Sequence, residues 1–238
     1  MIMQRNGTRL LPGARAGAVC TVLALLATVL SPMAWSAEIW FVRHAESEFN
    51  TTRGPLPVPD AGVSYPLTAL GVSQAVALGQ LFADIRVDYL YSSTRLRTLQ
   101  TADAISFQSG VPVRLAPEAV EVSFGESPDL RQDALPVFRL WAEGQAGAHS
   151  EGGETLDDVR ARFLPFWQRL VETHGGESDR RVVVVTHGGI IMFIVPTLCD
   201  QLTAAQAIQN PIGNTGILKA VLKGETLHCL EYQGAALP

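Results

Sequence analysis

Basic runs, metal-ligand spacings, nucleotide-loop patterns, internal repeats and cysteine clusters are all missing from this chain. Each absence removes a class of function. A nucleic-acid binder needs a stripe of Lys and Arg to neutralise phosphates. Here 18 basic residues face 23 acidic ones without clustering, so no nucleic-acid partner is expected. His44 and His187 lie far apart, with no third ligand at metal spacing, which argues against a zinc enzyme. No metal or other cofactor is expected. Gly188-Gly189 lacks the Lys-Ser/Thr ending and the spaced glycines of a phosphate-cradling nucleotide loop. Only three residues are cysteine, and Gly17-Ala18-Val19 before Cys20 makes a poor lipidation box.

The apolar run Ala16 to Leu30 falls short of the roughly 20 residues that span a bilayer. It is flanked by Arg5, Arg9 and Arg15 on one side and by Ser31-Pro32-Met33-Ala34-Trp35-Ser36 on the other. A charged start, an apolar centre and small residues at the cut are the pattern of a secretory signal. Residues 1–36 are therefore expected to be a signal peptide cut before Ala37, with no stable membrane association afterwards. Residues 37–238 are expected to form one domain, secreted and periplasmic. Without the signal, 15 basic side chains face 23 acidic ones, a net charge of −8. Cys199 and Cys229 then remain. They either pair in an oxidising compartment or sit apart as isolated buried thiols.

The chain does contain two short apolar runs, each ending in a histidine. Ile39-Trp40-Phe41-Val42 leads into Arg43-His44, and Val182-Val183-Val184-Val185 leads into Thr186-His187-Gly188-Gly189. Such runs without polar alternation read as strands covered on both faces, as in a parallel sheet. Ligands of open α/β sheets bind beyond the carboxyl ends of the strands. Two imidazoles and an arginine at two such ends imply one cleft that binds anions and handles protons.

Between these runs, Thr51 to Pro66 is too rich in Gly and Pro to be anything but loop. Thr68 caps a helix to about Ile85, with Leu70, Ala77, Leu78, Leu81 and Phe82 on its apolar side. Val87 to Tyr91 is a strand. A helix over Arg95 to Phe107 follows, with Leu96, Leu99, Ala102 and Ile105 buried. Val111 to Leu115 is a strand that Pro112 marks as an edge. A helix lies near Leu135 to Glu143, and Thr155 with Asp158 caps another reaching Glu172. Ile190 to Leu198 is a very apolar helix that Pro196 ends. Ile217 to Leu222 and Thr226 to Tyr232 make a terminal hairpin. The alternation gives an α/β fold, a three-layer sandwich with a mostly parallel central sheet flanked by helices.

Four blocks carry a resemblance. Arg43-His44-Ala45-Glu46-Ser47-Glu48-Phe49-Asn50 resembles the signature of the histidine phosphatase (phosphoglycerate mutase-like) superfamily. Ser92 to Ala102, with Arg97 at the arginine position, resembles that family's second phosphate-pocket segment. Glu121-Val122-Ser123-Phe124-Gly125 resembles the segment bearing its general acid. Gly152-Gly153-Glu154-Thr155 and then Thr186-His187-Gly188-Gly189 complete the order. The resemblance spans roughly Glu38 to Tyr232 and implies a phosphoglycerate mutase-like fold. Ala45 stands where most members have glycine, and Thr94 where proline is common. Glu126-Ser127-Pro128 replaces the usual tryptophan-acidic-glycine sequence over the pocket, where substrate preference is set.

The chemistry follows from the residue types. Arg43 and Arg97 can each grip phosphate oxygens bidentately. His187, if protonated beside a dianion, adds a donor. His44 is the candidate nucleophile, attacking phosphorus through a neutral ring nitrogen while the other donates to a fixed acceptor. Glu121, chosen over nearby Glu118 and Glu126 by its spacing to Gly125, would protonate the leaving alkoxide and later deprotonate water. Asn50 fits a phosphate-contacting position or a turn former. The expected activity is a metal-independent phosphomonoesterase of the histidine acid phosphatase type. Two alternatives are a phosphoglycerate mutase-type phosphotransferase and a non-catalytic phosphate- or partner-binding module. The acidic balance favours a small phosphomonoester, or a phosphorylated protein or envelope component, over a polyanion. The sequence does not specify an oligomeric state.

Overall fold

The two unbroken apolar runs form adjacent central strands, as their lack of polar alternation requires. A computed structural model of the protein describes residues 37–52, 65–125, 129, 133–176 and 179–238. The expected signal peptide, most of the Gly/Pro-rich loop after Thr51, and Glu126-Ser127-Pro128 lie outside the described residues. In chain order the strands are β1 (Glu38–Arg43), β2 (Tyr89–Ser92), β3 (Val113–Leu115), β4 (Arg181–Thr186), β5 (Ile217–Lys223), β6 (Thr226–Tyr232) and β7 (Ala235–Ala236). They form one sheet in the order β3-β2-β4-β1-β5-β6-β7. β3, β2, β4 and β1 run parallel, and β5, β6 and β7 complete the sheet antiparallel. As Pro112 implied, β3 is an edge.

The helices are α1 (Glu48–Thr51), α2 (Ala69–Leu81), α3 (Leu96–Ser109), α4 (Leu135–Ala142), α5 (Leu156–His174) and α6 (Ala204–Gln209). Alternate residues of each central strand feed opposite cores. Trp40, Val42, Val183 and Val185 pack with Leu78, Phe82, Ala102 and Ile105 on the α2/α3 side. Ile39, Phe41, Val182 and Val184 pack with Trp141, Phe163, Phe166 and Leu170 on the α4/α5 side. Each fully buried Phe contributes about 1.5–3 kcal/mol of transfer free energy, and Phe41, Phe82 and Phe163 are all at 0% exposure. The protein is thus a three-layer α/β sandwich.

Four elements depart from expectation. Leu70 and Leu81 of α2 are 56% and 52% exposed, because the helix turns its small residues inward instead. Gly71 lies against the Glu46 carbonyl and Gly79 against that of Ala104, where a Cβ would overlap backbone. Along α3 the buried face starts with Arg97, Thr98 and Thr101 rather than Leu96 and Leu99. That polar start faces the functional cleft rather than the core. The apolar stretch after Gly189 is a π-helical turn over Ile190–Ile194 and a 3₁₀ turn over Val195–Thr197 rather than a regular helix. Pro196 supplies no N–H to an i→i−4 ladder and crowds the preceding turn. Finally α6, with its Thr203–Gln206 capping box, has no counterpart in the sequence reading. Cys199 and Cys229 are joined in a disulfide, with Cα atoms 6.0 Å apart, which decides between the two alternatives.

Register positions the cleft. β1 pairs with β4 so that Arg43 lies opposite Thr186, and the next residue of each strand is a histidine. The His44 backbone N–H donates to the Thr186 carbonyl (3.0 Å), while Ser93 N–H, at the end of β2, donates to Val185 (3.0 Å). Three parallel strand ends thus deliver His44, His187 and Ser93 to one place.

Candidate active site

His44 is buried to 1% exposure. Its Nδ1 lies 2.7 Å from the Ala45 carbonyl. A carbonyl only accepts, so Nδ1 carries the ring hydrogen and Nε2 presents its lone pair. Arg97 Nε donates to that Nε2 at 3.2 Å. Burial first, then the Arg97 and Arg43 guanidiniums, hold the His44 pKa well below 6.5. The ring is therefore neutral at ordinary pH. Its carbonyl is held in turn by the Asn214 side-chain amide (3.1 Å) and, more loosely, by Thr215 N–H.

The guanidiniums are fixed separately. Arg97 leaves the first turn of α3, 4% exposed, and its carbon sits 4.5 Å over the Phe49 ring. Burial lowers its pKa to about 10, against the pull of Glu121. Arg43 donates through Nη1 to the Ile212 carbonyl. Its buried Nε has no partner among the described residues. Gly188 packs beside this side chain, where a Cβ would stand at ordinary contact distance, 3.4 Å, from Arg43 Nε.

His187 meets His44 edge-on, ring centroids 5.2 Å apart. Its Nε2 is 2.8 Å from Ser93 Oγ, and the Arg95 N–H donates to that same oxygen at 3.4 Å. The direction of the Ser93–His187 bond follows the ring's tautomer, since the hydroxyl can donate one hydrogen and accept two. Nδ1 is buried without a partner among the described residues. Burial, then Arg97 and His44, push the His187 pKa well below 6.5. These neighbours disfavour the imidazolium when no anion is beside it, whereas the protonation expected from the sequence is the one a bound dianion would induce.

Glu121 reaches the same cleft from the loop after β3. Its carboxylate accepts from Gly189 N–H (3.2 Å), two residues past His187, and from Val122 N–H (3.0 Å). The loop is clamped by Arg162 of α5, which donates to the carbonyls of Glu118 (2.8 Å), Val120 (3.0 Å) and Glu121 (3.0 Å). Arg162 is itself paired to Glu154 at 2.6 Å, and Glu154 also accepts from Ser123 N–H. The Thr155–Asp158 capping box starts the helix that carries this clamp.

Arg43, His44, Asn50 and Glu121 line one cavity of about 230 Å³, and Arg97 and His187 adjoin the His44 ring through the contacts above. Asn50 sits at the cavity and at a helix start. It lines the cavity, and its Oδ1 accepts from the N–H and hydroxyl of Ser47 (3.1 Å each) at the start of α1. Sequence reasoning assigned no role to Ser93 or Phe49, although both lie within the matched blocks. It missed Arg162 and Asn214 altogether. Arg162 looks like any solvated helix cation until its loop is placed, and Asn210-Pro211 with Gly213-Asn214 signals only a turn. Among the described residues no group of three or more His, Cys, Asp or Glu side chains is placed to hold a metal ion.

Comparison with known proteins points the same way. The sequence pattern of the histidine phosphatase superfamily (branch 1) matches residues 39–233. A glucosyl-3-phosphoglycerate phosphatase from Mycolicibacterium vanbaalenii is 34% identical over 168 residues, covering 66% of this chain and 72% of that protein. The fructose-2,6-bisphosphatase TIGAR of Xenopus laevis is 30% identical over 143 residues, covering 58% of this chain. That match spans about half of the frog protein's length, 51%. Among solved structures, a native mycobacterial glucosyl-3-phosphoglycerate phosphatase superposes with a TM-score of 0.66 at 26% identity, covering 84% of this chain and 100% of that one.

Proposed function

The chain belongs to the histidine phosphatase superfamily, branch 1, and on that premise we propose that it hydrolyses phosphate monoesters through a phosphohistidine on His44. The observation that carries this reading is the neutral His44 Nε2, facing the Arg97 guanidinium at 3.2 Å. A dianionic phosphoryl group placed there would be held by Arg97, by Arg43 Nε, which has no partner among the described residues, and by His187, whose protonation a neighbouring dianion favours. These are the donors that charge on the equatorial oxygens requires.

The reaction has two halves. His44 Nε2 attacks phosphorus as the ester P–O bond breaks, and the Glu121 carboxyl gives its proton to the departing alkoxide. Glu121, now a carboxylate, then takes a proton from water as the water oxygen attacks phosphorus. The N–P bond breaks, inorganic phosphate leaves, and His44 is neutral again. No step needs a metal. The low basicity of both imidazoles keeps His44 nucleophilic below pH 6.5, which supports an acid-phosphatase type. Substrates of this reading are small phosphomonoesters or phosphorylated protein or envelope components. We also propose export to an oxidising compartment, supported by the Cys199–Cys229 bond and the signal-like residues 1–36.

The test is a phosphate-release assay over a broad ester panel, with rapid acid quenching under turnover. Wild type should trap acid-labile phosphate on the protein, and His44→Ala should trap none while losing activity. Acid-labile phosphate on the His44→Ala protein would reject His44 as the nucleophile.

A further inference from the structure

The cavity in front of His44 is not uniformly polar. Its polar lining groups belong to one connected set. Arg43 and His44 are adjacent at the end of β1, Asn50 follows in α1, and Glu121 is held by Gly189 at the end of β4. Much of the remaining wall is Phe49, Phe124, Leu135, Phe138, Met192 and Ile208. Phe49 belongs to α1, and the others come from the segment before α4, from α4 itself, from the π-helical turn and from α6.

Two features make this wall a preformed surface. Phe138 is stacked on buried Phe193 (4.6 Å, 24°) and meets Phe124 edge-on (5.3 Å, 80°), so neither ring is free to swing aside. Leu135, in the first turn of α4, is 47% exposed while lining the cavity. About half of its surface is left uncovered. Among the described lining residues, Arg43 is the cation and is already turned to the phosphate side. A second anionic group on the ester would be desolvated against hydrocarbon and face the Glu121 carboxylate, an arrangement that carries a large unpaired-charge penalty.

Resting on the phosphatase reading above, we propose that the Phe124–Leu135–Phe138–Met192–Ile208 wall is a leaving-group subsite for phosphate esters of small apolar alcohols or phenols. The occupant is a single aromatic ring or a short branched chain. Cavities for drug-sized ligands run from about 300 to 1,000 Å³, and this one is about 230 Å³. An apolar group enters with a gain from burial, whereas phosphoglycerates and sugar bisphosphates bring a second charge that the wall does not match.

The experiment compares kcat/KM for benzyl phosphate, glycerol 3-phosphate and 3-phosphoglycerate. Benzyl phosphate and glycerol 3-phosphate both release primary alkoxides, so leaving-group basicity does not dominate their difference. Benzyl phosphate should be preferred over glycerol 3-phosphate by about 10- to 100-fold, the range expected for burying one ring. It should be preferred over 3-phosphoglycerate by at least as much. Phe138→Ala should cut the benzyl-to-glycerol ratio about tenfold. Because Phe138 also packs in the core, Leu135→Arg provides an independent arm at a half-exposed position. It should shift the benzyl-to-phosphoglycerate ratio at least tenfold toward phosphoglycerate. Equal or better hydrolysis of glycerol 3-phosphate or 3-phosphoglycerate by wild type would overturn the apolar subsite and leave the phosphatase reading standing. Ratios unmoved by both variants would do the same. Release from none of the three but from other esters of the broad panel would overturn the subsite alone, and release from no ester of that panel would overturn both.

Discussion

His44 combines two properties that water would oppose: it is buried, and it stays uncharged beside two guanidiniums. Its backbone and ring hydrogen bonds make that tolerable, since Nδ1 satisfies the Ala45 carbonyl and Nε2 accepts from Arg97. Ala45 is not strained where the family resemblance leads one to expect glycine. The non-glycine residues with positive φ among those described are Asp179, Thr215 and Gln233, so the position needs no left-handed backbone. The buried imidazoles have a consequence for stability. Unfolded histidine takes a proton near pH 6.5, whereas His44 and His187 resist protonation well below that. Below pH 6.5 the unfolded chain therefore binds more protons, and stability falls as pH drops toward the folded pKa values. Thermal unfolding between pH 7.5 and 5 should show Tm declining on the acid side, with a shallower decline in His187→Asn. Arg97 tests the site from the other direction. Arg97→Lys keeps a cation but loses the planar fork, and kcat/KM should fall about 10²-fold or more. A loss below threefold would remove Arg97 from the phosphoryl-binding role.

At the scale of elements, the site is an arrangement of ends. Three parallel strand ends place His44, His187 and Ser93, the first turn of α3 brings Arg97, and α5 reaches across to hold the Glu121 loop. Arg162 is the residue through which α5 acts, donating to three carbonyls of that loop. Arg162→Met should destabilise the fold by about 1–3 kcal/mol, because buried acceptors lose their partner. It should also slow alkyl phosphates far more than p-nitrophenyl phosphate, since only a poor leaving group depends on a well-placed acid. Stopped assays of both esters give that ratio. Equal losses would make Arg162 a structural residue without a positioning role. Helix α2 shows why apolar spacing alone misplaced its buried face. Close approach to the Glu46 and Ala104 carbonyls admits only glycine at positions 71 and 79, and that contact turns Leu70 and Leu81 outward.

Across the whole molecule, the antiparallel half of the sheet is tied back to the segment after β4 by Cys199–Cys229. Between these cysteines lie Ile212 and Asn214, whose contacts hold Arg43 and the His44 carbonyl. The bond thus closes a loop that includes part of the site's support. Closing a loop of 30 residues restricts the unfolded chain by about 3–4 kcal/mol. At about 2–4 °C per kcal/mol for a domain of this size, Cys199→Ser or a reductant should lower Tm by about 6–15 °C in calorimetry. Unchanged Tm under reductant would show that the disulfide carries no stability.

The sequence by itself determined the strand-ending histidines, the four ordered blocks, the parallel-then-antiparallel sheet and the candidates His44, Arg43, Arg97, Glu121 and His187. Local rules suffice for these, because strand burial shows as uninterrupted apolar residues and short motifs keep their chemistry in their spacing. The tertiary structure alone decided the pairing of Cys199 with Cys229, the burial of His187 against His44 and Ser93, the Arg162 clamp and the apolar wall beyond Glu121. Each of those depends on groups tens of residues apart meeting in a low-dielectric interior, where hydrogen-bond partners and desolvation are set by packing and not by neighbours along the chain.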